Sequence, residues 1–164
     1  LLADPEKRFA WDTRVLGMKW VGDLVAKMET ARLTRTLGTL LTNGVPLLSA
    51  LSIARNGITN TVLRKDVNAA AREVKTGGGL ARNLAKAEHF PRLALQMISV
   101  GEETGQLDVM LMKVADAYDT DVRNTIDRLL SVFTPVVTLL LAVLIGTIVL
   151  SILMAMLSVN DLVG

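Results

Sequence analysis

Residues 129–160 read LLSVFTPVVTLLLAVLIGTIVLSILMAMLSVN, a stretch of 32 residues without an ionisable side chain. As an α-helix it would be about 48 Å long, whereas about 20 apolar residues are enough to cross a bilayer core. The length favours a membrane helix over a buried core helix. We predict a transmembrane helix at residues 131–158, with its lipid-embedded part at 136–157, and a short tail at 159–164.

The charges on either side of this span are uneven. Arg123 and Arg128 precede it, and only Asp161 follows it. Cytoplasmic flanks of membrane helices carry an excess of basic residues. The residues before the span are therefore expected in the cytoplasm, and the tail on the opposite side of the membrane.

Small side chains recur along one side of the span. They allow neighbouring helices to approach closely, so we expect them to pack against other membrane helices, although a lipid-facing stripe remains an alternative. The residues are Thr138, Ala142, Gly146, Thr147, Ser151 and Ala155.

Upstream of the span, apolar residues recur every three or four positions in segments separated by glycine or proline, the pattern of amphipathic helices. The predicted helices cover about 21–43, 46–55, 60–75, 80–86, 91–102, and 107 onwards into the membrane span. Short connections favour antiparallel neighbours. The predicted fold is therefore all-α: an antiparallel six-helix bundle at 21–130 whose last helix continues into the transmembrane helix, with 1–20 as a linker.

One helix corner is especially well marked. Gly44 suits the left-handed conformation that ends a helix, Val45 supplies the apolar contact that accompanies it, and Pro46 favours the start of a new helix.

The sequence lacks residues that several kinds of catalytic, nucleotide-binding and metal site require. The chain has no cysteine and a single histidine, His89, which we interpret as a loop residue facing solvent. Three glycines at 77–79 are followed by Leu80 and Ala81 rather than by the lysine and hydroxyl of a nucleotide-binding loop. We predict no catalytic, cofactor or metal site and no enzymatic activity.

Charge is distributed unevenly along the sequence. Residues 1–101 contain 15 basic and 8 acidic side chains, whereas residues 102–121 contain 1 lysine and 6 acids. The basic part is suited to anionic headgroups or acidic partners, or is simply solvated. No recognition motif supports nucleic-acid binding.

The sequence GEETGQLD at 101–108 is the strongest local motif. It fits a structural turn between two helices, with a partner surface as the alternative and acid chemistry as a minor one. Its candidate residues are Gly101, Glu102, Glu103, Thr104, Gly105, Leu107 and Asp108.

This motif resembles the GEETGxL signature of the type II secretion F and type IV pilus platform family. Further similarities follow in order along the chain: the segment 35–51, the glycines before Leu80, Phe90-Pro91 and the final span. The resemblance implies a second cytoplasmic domain followed by the last membrane helix, with residues 1–20 after a preceding membrane helix and the tail in the periplasm. It implies a multi-pass protein of the bacterial inner membrane.

The resemblance also implies a non-enzymatic, homo-oligomeric scaffold of a type II secretion system, which couples a cytoplasmic assembly ATPase to pseudopilus assembly and protein secretion. The expected partners are that ATPase, other inner-membrane secretion components, pseudopilins and the lipid membrane. A type IV pilus platform is the nearest alternative. A tail-anchored helical adaptor that recruits a soluble partner is the alternative from another class.

Overall fold

The fold was analysed in a computed structural model that describes residues 5–18 and 20–163. These residues form seven α-helices and one 3₁₀-helix: α1 (Pro5–Gly17), α2 (Val21–Thr42), α3 (Leu47–Ala54), the 3₁₀ turn (Arg55–Gly57), α4 (Thr61–Lys75), α5 (Leu80–Ala85), α6 (Arg92–Thr104) and α7 (Leu107–Val163). The all-α prediction is confirmed, and α2 to α6 begin and end within two residues of the predicted bounds. The count of six helices is not confirmed, because α1 was not predicted.

Helix α1 lies inside the segment that the sequence analysis treats as a linker. One carboxylate oxygen of Asp12 accepts hydrogen bonds from the backbone N–H of Thr61 at 2.8 Å and from its hydroxyl at 2.6 Å. Asp12 thereby provides an acceptor for the Thr61 N–H, which lies in the first turn of α4 and has no acceptor within the helix. This bond fastens α1 to a residue 49 positions away, and local sequence patterns carry no sign of it.

The chain divides into two compact units. The first extends to Arg123 and contains α1 to α6 with the beginning of α7; the second starts at Asn124. The hydrophobic core of the first unit consists mainly of leucine and valine side chains from α2 to α7, together with Ile58 and Ile98. Its largest fully buried members include Leu33, Leu37, Leu51, Leu63, Val67, Leu80, Leu84 and Leu111. Each such side chain contributes roughly 1.5–3 kcal/mol when it leaves water.

Two helices in this unit end with the same backbone motif. At the end of α2, Gly44 has φ +78°, its N–H donates to the Leu41 carbonyl at 2.9 Å, and Val45 N–H donates to Leu40 at 3.0 Å. These are the two bonds of a Schellman motif. Pro46 follows and α3 begins at Leu47. At the end of α4, Gly77 has φ +96° and the same pair of bonds reaches Val74 and Glu73.

The second unit consists of the rest of α7. Helix α7 is assigned as one helix of 57 residues with Pro135 inside it. It contains an 18-residue window of mean hydropathy 2.9, none of it buried within the structure. By length and composition, therefore, α7 is able to cross a membrane.

Candidate functional site

The motif at 101–108 forms the corner between α6 and α7. Gly105 adopts φ +70°, and the N–H of Gln106 donates to the carbonyl of Gly101 at 2.9 Å. A left-handed residue costs an L-amino acid roughly 1–2 kcal/mol, a penalty that glycine avoids. Gly105 therefore ends α6 and sets the direction in which α7 starts.

Gly101 is buried at the contact between the end of α6 and the start of α7. A Cβ atom on Gly101 would lie 2.9 Å from Cβ of Met110 and 3.0 Å from Cα of Leu107. Because the second of these atoms belongs to the backbone, α6 and α7 would have to separate to admit even an alanine. Leu107 itself packs against the hydrophobic core.

Glu102 is half-buried and joins this corner to a second motif. Its carboxylate accepts hydrogen bonds from the backbone N–H groups of Leu80 and Ala81, the latter at 3.0 Å. These two amides form the first turn of α5, where N–H groups lack intrahelical partners and negative charge is favoured. Glu102 is thus a long-range cap of a helix that lies 21 and 22 residues earlier in the chain.

The glycine run at 77–79 provides the space for this cap. A Cβ atom on Gly79 would lie 3.3 Å from Oε2 of Glu102, and one on Gly78 would lie 2.6 Å from Nδ2 of Asn83. The N–H groups of Leu80 and Ala81, just after the glycines, donate to Glu102, and those of Gly77 and Gly78 donate to the carbonyls of Val74 and Glu73. The glycine run and the motif at 101–108 are therefore one structural unit, a connection that the sequence analysis missed.

The other polar residues of the motif are exposed or half-buried. Glu103 is exposed and accepts a hydrogen bond from the Ser99 hydroxyl at 3.2 Å, and the Thr104 hydroxyl donates to the Val100 carbonyl at 2.7 Å. Asp108 is half-buried in the first turn of α7, where a carboxylate suits the helix dipole. Glu102 therefore stabilises the fold, while Glu103 and Thr104 are accessible to a partner.

A second polar network joins α2 to α7. Arg35 pairs with Asp116 at 2.7 Å and with Asp119 at 2.5 Å, and Lys27 pairs with Asp121 at 2.7 Å. The hydrogen bonds to Asp119 and Asp116 raise the pKa of Arg35, and those to Asp121 and Asp23 raise the pKa of Lys27. Much of the acidic charge at 102–121 is thus neutralised within the chain.

A buried carboxylate organises the connection before α4. Glu29 is only 3% exposed and accepts hydrogen bonds from the backbone N–H groups of Thr59 and Asn60, each at 3.1 Å. The side chain of Asn60 in turn accepts from Val62 and Leu63 and caps α4. Sequence reasoning did not identify Glu29, because its partners lie 30 residues away.

His89 contacts Asp66, and Nδ1 of the ring lies 2.7 Å from the carboxylate. Burial raises the pKa of Asp66, although the hydrogen bond to His89 opposes that shift. Within residues 5–18 and 20–163, no group of three His, Asp or Glu side chains is arranged to hold a metal ion.

The small residues predicted to pack in the membrane all lie on the exposed surface of α7. A Cβ atom on Gly146 would have no neighbour within 4 Å. The hydroxyls of Thr138 and Thr147 donate to the carbonyls of Thr134 and Val143 at 3.0 and 2.7 Å, so their polar atoms are satisfied within the helix. These positions are Thr138, Ala142, Gly146, Thr147, Ser151 and Ala155.

Comparison with known proteins identifies similar chains. The family model described as type II secretion system (T2SS), protein F matches residues 33–155. The type II secretion system protein F of Xanthomonas campestris pv. campestris is 52% identical over 157 residues, which cover 96% of this chain and 39% of that protein.

Two further relatives are more distant. The type II secretion system protein F of Vibrio cholerae is 34% identical over 164 residues, covering 100% of this chain and 40% of the relative. The type IV pilus assembly protein PilC of Myxococcus xanthus is 37% identical over 142 residues, covering 87% of this chain and 34% of the relative. The chain thus spans about two fifths of the length of the relatives it matches.

Proposed function

The chain belongs to the type II secretion system protein F family, and we propose that it is part of an inner-membrane platform of a type II secretion system. The observation that carries this proposal is the 52% identity to a type II secretion system protein F, maintained over 96% of the chain. In this role the chain is a non-enzymatic scaffold. It couples a cytoplasmic assembly ATPase to pseudopilus assembly and protein secretion.

The proposed mechanism depends on a bundle that resists deformation. Packed helical cores shift between discrete arrangements rather than bending gradually. Two features support such resistance here: the cap that Glu102 places on α5, and the close α6–α7 approach at Gly101. The proposed partners are the ATPase, pseudopilins, other inner-membrane components and further copies of the same protein.

The proposed topology places residues 21–130 in the cytoplasm, residues 131–158 in the membrane and the tail in the periplasm. Residues 1–20, including α1, would connect the bundle to a preceding membrane helix. The apolar window of α7 and the basic residues Arg123 and Arg128 support this orientation. The small residues of α7 would then pack against neighbouring membrane helices.

A type IV pilus platform is the second candidate. The 37% identity to a type IV pilus assembly protein supports it directly. The two candidates share the scaffold role and differ in the filament that is assembled.

Deletion of the gene that encodes the full-length protein tests both candidates. A secretion platform predicts that enzymes normally found in the medium accumulate inside the cell, with surface pili unchanged, and that a plasmid copy restores export. Loss of pili with normal export would favour the pilus candidate. If both export and pili persisted, the platform function would be rejected.

A further inference from the structure

A groove of about 680 Å³ lies between α3 and α4. Hydroxyl and amide side chains line it together with three cationic ones and a partly exposed leucine. The lining includes Leu48, Ser49, Ser52, Arg55, Asn68, Arg72 and Lys75. All of these residues belong to the first compact unit.

The cations of this groove lack acidic partners among the described residues. Arg55 donates a hydrogen bond to the amide oxygen of Asn68 at 3.0 Å, and Arg72 and Lys75 are exposed. No described carboxylate forms an ion pair with any of the three. Arg35 and Lys27, in contrast, each pair with two aspartates. The groove therefore holds three cations that form no ion pair with a described carboxylate, beside neutral donors and acceptors.

This lining fits anionic groups, either carboxylates or phosphates. A guanidinium presents a planar fork of donors that matches a carboxylate, and lysine adds a flexible point charge. Leu48 is 43% exposed, so it offers an apolar contact at the same place. An acidic segment that also carries an apolar side chain would match both features.

A second copy of this chain is poorly suited to supply that segment. Its acids are concentrated at 102–121, and of these only Glu103 and Asp108 lie outside the described contacts between helices. Glu102 already caps α5, and Asp116, Asp119 and Asp121 already pair with Arg35 and Lys27. Docking through these carboxylates would break the contacts that hold α2, α5, α6 and α7 together. Residues 1–164 of a second copy would thus supply most of these carboxylates only by giving up the bundle's own contacts, which favours a different protein as the source.

We propose that the α3–α4 groove is a docking surface for an acidic segment of a partner protein, whose carboxylates pair with Arg55, Arg72 and Lys75. This proposal rests on the proposed platform function and adds to it the surface and the chemistry of one partner. Because the cations are accessible to solvent, the affinity falls as the salt concentration rises.

The first test measures binding of a synthetic leucine-containing, glutamate-rich peptide to the purified chain in detergent. The Arg72→Glu/Lys75→Glu variant is expected to bind it about tenfold more weakly, since close charge pairs are turned into like charges. The Arg82→Glu/Lys113→Glu variant changes net charge equally at exposed positions on α5 and α7, and is expected to bind as the parent does. Equal weakening by both variants would overturn the proposal, as would strong binding of a peptide with glutamine in place of glutamate.

The second test uses the full-length protein in its own host, with a photoactivatable amino acid in place of Ser52. The expected product is a covalent adduct with a net acidic segment of another protein, identified by mass spectrometry. The adduct should disappear in the Arg72→Glu/Lys75→Glu background and persist in the Arg82→Glu/Lys113→Glu background. An adduct with lipid, with a second copy of this chain or with a non-acidic segment would overturn the proposal.

The export assay separates the two proposals. If deletion of the gene leaves export and pili intact, the platform function fails. If deletion blocks export while the Arg72→Glu/Lys75→Glu variant secretes normally, the platform function stands and the docking surface fails.

Discussion

Replacing Glu102 by alanine tests whether this side chain holds the start of α5 in place. The substitution removes two hydrogen bonds from backbone amides to a carboxylate. Hydrogen bonds to charged groups contribute roughly 1.5–3 kcal/mol each and are not additive. A combined loss of roughly 2–3 kcal/mol corresponds to a roughly 30- to 160-fold increase in the local opening equilibrium.

Hydrogen exchange monitored by mass spectrometry measures this opening directly, because the amides of Leu80 and Ala81 are the donors of the two lost hydrogen bonds. With the chain in detergent micelles, a peptide that includes these residues should exchange faster in the Glu102→Ala variant by that factor. Glu102→Gln keeps the shape and one acceptor oxygen, so its expected increase is only about tenfold.

The adjacent Glu103 provides a matched control. It has the same side chain, is exposed and accepts a hydrogen bond from Ser99. Surface substitutions of this kind usually change stability by about 0.5 kcal/mol or less, so Glu103→Ala should leave exchange at the start of α5 almost unchanged. Equal protection of these amides in the parent and in Glu102→Ala, or equal acceleration by both alanine variants, would refute the capping role.

Two further substitutions and one insertion test other parts of the structure. Gly101→Ala is expected to lower the free energy of unfolding by about 1–3 kcal/mol, because its Cβ would overpack the α6–α7 contact. Denaturant titration measures this change. The control is Gly17→Ala, whose Cβ meets nothing within 4 Å and which should be close to neutral. Asp12→Ala is expected to cost about 1–2 kcal/mol through the lost bonds to the start of α4 and to accelerate amide exchange in α1; unchanged exchange there would contradict the docking of α1. A flexible glycine linker inserted near Arg128 is expected to abolish export while the protein still folds and inserts into the membrane, and normal export from that variant would contradict the need for an uninterrupted α7.

The helix boundaries of the first unit were accessible from sequence because their signals are local. Gly44 and Gly105 occupy left-handed positions that ordinary L-residues avoid. Pro46 and Pro91 each stand immediately before a helix. Apolar residues spaced by three or four positions indicated the helices themselves, and such residues, among them Leu33, Leu37 and Leu63, are completely or almost completely buried. Each of these signals depends on a few consecutive residues.

Helix α1 was not predicted from local sequence signals. The segment is basic and polar, and its position depends on long-range contacts, among them the bonds of Asp12 to Thr61 and the packing of Leu16 against the core. The stabilising carboxylates Glu29 and Glu102 show the same limitation, since their partners lie 21 to 31 residues away in sequence. Nothing in the sequence near either glutamate distinguishes it from the exposed Glu103.

The all-α class, most helix ends and the apolar length of α7 follow from the sequence alone, because helical periodicity, glycine conformation and hydropathy are properties of short segments. The three-dimensional packing was needed to show that the glycines at 77–79 and the motif at 101–108 form one unit. It was also needed to show that the acids of α7 pair with the bases of α2, while Arg72 and Lys75 form no ion pair with a described acid. Those outcomes depend on which helices pack together, since a carboxylate and its donor must lie within about 3 Å of each other, and sequence separation does not fix that distance.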